Sequence, residues 1–201
     1  GEGLFLEFRE EALQAWLARK QAGSREEMLR VGHRAWREAR EQAPADAGFP
    51  GMRYVVLHSL AHALMRQLSV ECGYALASIR ERVYAREADG EGPAMAGMLL
   101  YTAAPDSEGT LGGLVSLGEP VPLGRHLDQC LHMAQVCSSD PLCAEHDPSV
   151  GPATLHGAAC HACLFVPETS CERANRYLDR AALVPIFGLE RSGLFADLVE
   201  D

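Results

Sequence analysis

With 201 residues, 47% of them hydrophobic, the chain can bury one sizeable core with at most a small appended subdomain, which excludes a disordered tether. Its formal net charge of −10 excludes a strong autonomous grip on DNA phosphates, because that affinity comes from Lys and Arg displacing counterions. The basic charge is almost all arginine, with Lys20 the only lysine, so a local patch of planar, bidentate phosphate or carboxylate contacts stays open beside the plainer reading of solvated Glu/Arg helix faces.

In chain order, Leu6, Leu13, Trp16 and Leu17 recur among charges and predict an amphipathic helix from Leu4 to about Ala22. Ser24 with Glu27 has the form of a capping box and predicts a second helix from there to about Gln42, ended by the Pro- and Gly-rich loop PADAGFPG. The most apolar helix candidate, RYVVLHSLAHALMRQLSVE, runs from Arg53 to Glu71, with Gly73 suited to a left-handed cap. Ile79, Val83 and Tyr84 lie in a charged segment that fits helix or strand, and AMAGMLLYTAA reads as a buried strand. A Gly-rich connection follows, wrapping a short helix near Leu114. Leu123–Cys137 predicts another amphipathic helix, with Leu127, Leu131 and Met133 or Ala134 inward. Irregular chain leads to a cysteine-rich segment, a last helix from about Arg173 to Leu183, and a tail beyond Pro185. The pattern predicts an α+β fold, mostly helical with a small sheet, divided as residues 1–50 (helical), 51–185 (main domain, with a metal-binding segment at 137–171) and 186–201 (tail). No apolar run spans a bilayer and no secretory signal opens the chain, which predicts a soluble, cytoplasmic protein. Gly1 stands where an initiator Met would, as expected of a piece of a longer protein.

The chemistry concentrates in the cysteines. Cys137 is followed after five residues by Cys143, after sixteen by Cys160, after two by Cys163 and after seven by Cys171. A CxxC lets two thiolates bind one tetrahedral ion across a tight turn, and a second pair from elsewhere completes a structural zinc site. Four of these five are expected as ligands: Cys143, Cys160 and Cys163, with either Cys171 or Cys137 as the fourth, and His146, His156 and His161 as substitutes. Buried apolar thiols are the bland alternative. No HxE or HExxH occurs, and Ala159 stands where a deaminase would carry Pro before its CxxC, so deaminase and zincin chemistry are excluded. His58 and His62 share one helix face, but no adjacent carboxylate accompanies them, which favours core imidazoles. Asp106, Glu108, Gly112 and Gly113 make an anion or metal loop conceivable, although a plain turn is the simpler reading because no Walker lysine follows. Cys72 near His62 reads as packing.

LHSLAHAL (57–64), the IRERVY segment, MLLYTAAPDSEGTLGGLVSLG (98–118), a cysteine pair, CHAC and SCERANRYLDR (170–180) stand in an order that resembles the MrfA-type zinc-binding (MZB) domain of helicase-associated proteins. The fuller wording of YTAAPDSEGTLGGLV and CSSDPLC is similar to members serving antiphage defence. The resemblance reaches from about Gly1 to Leu183 and implies a zinc-stabilised accessory module, not a motor, whose parent acts on DNA within or beside a helicase. Helicase members carry CxC before the CxxC, whereas five residues separate Cys137 from Cys143 here. The leading expectation is a non-enzymatic module with structural Zn2+ that helps engage or load DNA, through a complex with a helicase partner or parent and without a membrane role. A protein-docking module without DNA, and a metal-dependent hydrolase or nuclease built on His58, His62 and the Asp106/Glu108 loop, are the alternatives.

Overall fold

The structure, a computed structural model, describes residues 1–89, 92–102 and 113–199, and within them leaves the Cys72 side chain undescribed. Strand β1 (Gly3–Glu7) is followed by helices α1 (Glu10–Leu17), α2 (Lys20–Glu38) and α3 (Gly51–Cys72). Strands β2 (Ile79–Arg86) and β3 (Met95–Thr102) and helices α4 (Gly113–Leu117) and α5 (Pro120–Ala134) come next, and from there loops and short 3-10 turns carry the chain to Val199. The fold is thus helical with one small antiparallel sheet, as the sequence pattern predicts.

Helix α3 is the centre. Every side chain from Met52 to Met65 is buried, because the helix is apolar around most of its circumference and is covered on all sides. It ends at Gly73, whose φ of +69° a side chain would disfavour. The sheet packs against one side of α3 in the order β1-β3-β2, with Gly3 opposite Tyr101 and Ile79 opposite Thr102. In β2 the inward positions are Ile79, Glu81 and Val83, and the period of two places a carboxylate in the apolar face. Helix α5 lies against another side of α3. The core is continuous from Leu4, Leu13, Trp16 and Leu29 through α3 to Ile186 and Val199.

Three predicted elements are corrected. Gly3–Glu7 is a strand, not the start of a helix: Leu4 and Leu6 alternate with outward Phe5, and the segment supplies the edge partner that β3 needs. Helix α2 begins at Lys20, so Ser24 lies inside it and its hydroxyl donates to the Lys20 carbonyl at 3.0 Å instead of capping. The segment 173–183 holds no α-helix. Ala174, Asn175 and Tyr177 take φ of 52°, 58° and 61°, and the backbone pairs with the 155–158 strip through Tyr177 N to Leu155 O (2.6 Å), Gly157 N to Leu178 O (2.8 Å) and Arg180 N to Ala158 O (2.9 Å). In α5, Leu131 and Ala134 face inward as expected, with His126 and Cys130 beside them, while Met133 is exposed. The segment with either reading, Ile79–Tyr84, is strand.

Candidate metal centre

Two turns bring four thiols together. After α5 the chain turns so that the Asp140 amide donates to the Cys137 carbonyl (2.9 Å) and the Cys143 amide to the Ser139 carbonyl (3.0 Å). Across from it the amides of Cys163, Leu164 and Phe165 all donate to the Cys160 carbonyl at 3.2, 3.1 and 3.0 Å, which folds CHAC into a knuckle with both sulfurs on one side. Sγ of Cys137 lies 3.5 Å from that of Cys160, Cys143 lies 3.7 Å from Cys163, and Cys160 lies 3.8 Å from Cys163. Four sulfurs at the usual zinc distance in a tetrahedron stand about 3.8 Å apart, so the donor set fits one zinc ion. The Ser139 amide donates to Cys137 Sγ and the Cys160 amide to Cys163 Sγ, contacts that favour the thiolate form.

The surroundings answer the negative charge such a site gathers. Arg180, fully buried, donates to Cys143 Sγ (3.5 Å), to Asp140 Oδ1 (2.7 Å) and to the Ala134 carbonyl (3.0 Å). Asp140 accepts in turn from the amides of Cys137 and Ala144, so one carboxylate fixes both ends of the first turn. Burial raises the Cys160 thiol, but the Ala162 amide and the Cys137 contact outweigh it and bring it down to about 7. By contrast, burial pushes Cys130 up to about 12, and its thiol only donates to Leu127 O, which is how an inert packing cysteine behaves.

Cys171 stands elsewhere. It follows the 3-10 turn Glu168–Ser170 and packs against His58 of α3, with Sγ 3.2 Å from Nε2. His58 and His62 both reach Oε1 of Glu81 from β2, at 2.8 and 3.2 Å, and all three side chains are fully buried. Burial opposes the charged imidazoles, but Glu81 and Cys171 raise His58 and His62 overall, while the same two imidazoles hold Glu81 well below the usual carboxylate range. Burial likewise raises Cys171, and the two histidines outweigh it, bringing the thiol to about 7.

The remaining candidates fall apart from these clusters. His146 and His156 stack on each other at 4.4 Å, and His161 meets Phe165 edge-on, so none substitutes for a thiol. Gly113 opens α4, whereas Asp106, Glu108 and Gly112 lie outside the described residues. Sequence reasoning missed Arg180 and Glu81. A charged residue at an inward position of an alternating strand was the available signal for Glu81, and Arg180 carried none.

The family model of the MrfA Zn-binding domain matches residues 60–164, a span that holds Glu81 and all four clustered cysteines. Over 200 residues, 99% of this chain, the sequence is 40% identical to the DISARM protein DrmB of Bacillus paralicheniformis (strain ATCC 9945a / NCIMB 11709 / CD-2). The chain spans 34% of that relative's length.

Proposed function

Because the chain belongs to the family of MrfA Zn-binding domains, we propose that it is a non-catalytic accessory module of a helicase-associated antiphage defence protein, held by a structural zinc and helping that protein engage DNA. The observation that carries the structural reading is the closed set of Cys137, Cys143, Cys160 and Cys163. Four thiolates fill a tetrahedral ion and leave no position for a water to be activated, so the metal holds turns together and supplies no chemistry. The family membership and the four-cysteine geometry agree on zinc.

A groove of about 610 Å³ supports the DNA part. Trp36, Arg66, His161, Phe165 and Arg176 line it, and the guanidinium groups of Arg40 and Arg176 lie over the Trp36 ring at 4.0 and 5.4 Å. Aromatic faces interleaved with arginine suit stacked bases and phosphates of a single strand, while the acidic remainder limits the grip to what a helicase partner or parent delivers. Among the described residues no helix is long and apolar enough to cross a membrane.

Binding of single-stranded and duplex DNA is measured by mobility shift across a salt series. The expected outcome is weak, salt-sensitive binding that favours single strands and falls further in Trp36→Ala and Arg176→Ala. A dissociation constant weaker than about 100 μM at low salt overturns the DNA role. That outcome favours a protein-docking module, the reading supported by the net charge of −10 and by the exposed Val70, Met133 and Val136 around one groove.

A further inference from the structure

Outside the four-thiol cluster, His58, His62, Glu81 and Cys171 form a second candidate ligand set, its donor atoms all within 4.8 Å of one another and every residue buried. The ligands come from three places in the fold: the two histidines from successive turns of α3, the carboxylate from the inward face of β2, and the thiol from the loop before Ala174.

Hydrogen bonding on the far side of each ring fixes how the histidines present themselves. Nδ1 of His62 lies 2.9 Å from the Leu164 carbonyl, and Nδ1 of His58 lies 3.3 Å from the Tyr177 carbonyl. A carbonyl only accepts, so both Nδ1 atoms carry the proton, and in a neutral ring both Nε2 lone pairs then aim inward. They converge on Glu81 Oε1 and Cys171 Sγ, which are themselves acceptors. The thiol is also held as an acceptor from outside, by the amides of Arg173 (3.4 Å) and Asn175 (3.2 Å). The other carboxylate oxygen, Glu81 Oε2, is buried without a hydrogen-bond partner. With both imidazoles neutral, four acceptors turn to one point, the two histidines anchored by carbonyls and the thiol by amides. That arrangement surrounds a cation, and imidazole N–H groups tied to carbonyls are the usual outer support of metal-bound histidine. The neighbouring donor separations of 2.8 to 3.2 Å approach the roughly 3.3–3.6 Å edges of a tetrahedron around zinc, so a small outward movement admits the ion.

We propose that His58, His62, Glu81 and Cys171 bind a second zinc ion, a buried structural centre of two nitrogens, one oxygen and one sulfur that fastens β2 and the Cys171 loop to α3. Mixed imidazole, carboxylate and thiolate donors in a tetrahedral array suit Zn2+ better than Mg2+ or Ca2+, which take oxygen and higher coordination. With four protein ligands and no exposure, the centre is structural like the first.

The purified full chain tests this by metal content and by zinc X-ray absorption. The expected result is two equivalents of zinc and an average ligand shell of sulfur mixed with nitrogen or oxygen, a readout that requires no variant. Cys171→Ala and the near-isosteric Glu81→Gln are expected to hold one equivalent with a sulfur-only shell. Cys137→Ser is expected to hold one with the mixed shell. One equivalent in a sulfur-only shell in the unaltered chain overturns the second centre while leaving the four-thiol site standing. One equivalent with the mixed shell, lost in Cys171→Ala and kept in Cys137→Ser, supports the second centre and rejects the first.

Discussion

Arg180 is a fully buried guanidinium whose charge is answered by Asp140 and by the sulfur of Cys143, so it links the metal turn to the loop that closes over α3. Removing one partner of a buried pair strands the other, at a cost of about 3–5 kcal/mol. Arg180→Met is accordingly expected to lower the unfolding free energy from urea titration by that order with zinc in excess, and a loss under about 1 kcal/mol contradicts the link. At this scale the sequence was only partly legible. The spacing of CHAC carries its own geometry, since two thiols three apart across a knuckle face the same way, and Cys143 followed from proximity. The competition between Cys137 and Cys171 did not resolve from spacing, because only seven residues separate Cys171 from Cys163 yet its chain turns away to α3. The partner of His58 and His62 was missed for a related reason: their carboxylate, Glu81, lies on another element, so a search for an adjacent acidic residue passes it by.

Helix α3 and strand β3 were readable because each is apolar over a length that only one element type accommodates, and Gly73 marked the helix end. The edge strand and the 173–183 segment were not, since both take their shape from distant hydrogen-bond partners: β1 from β3, and the second segment from Leu155–Ala158 and from the Cys171 sulfur. Helix α2 shows how finely the elements fit. A Cβ on Gly32 would stand 2.9 Å from both Cβ and the carbonyl oxygen of Pro148, whereas one on Gly23 meets nothing within 4 Å. Gly32→Ala is therefore expected to destabilise by about 1–3 kcal/mol through overpacking. Gly23→Ala in the same helix is expected to be neutral or to stabilise by up to about 1 kcal/mol. Paired urea titrations read both, and equal shifts of the same sign refute the packing account.

For the molecule as a whole, family membership, the mixed fold and the zinc-ligand chemistry were legible together because several motifs stand in fixed order, while the way the loops from Gln135 to Val199 cover α3 was not, lacking any regular period. Since no preformed site exists in an unfolded chain, the energy of metal binding is folding energy. A strong chelator is expected to lower the melting temperature markedly and to broaden the transition, with recovery when zinc is restored. Calorimetry with and without chelator checks it, and an unchanged melting temperature rejects a structural metal. The near-complete burial of α3 has a consequence during synthesis. Its apolar turns leave the ribosome before α5, the knuckles and the 155–184 loops that shield them exist, so only α1 and α2 are at hand to cover part of it, and the rest of its apolar surface stays open until almost the whole domain has been made.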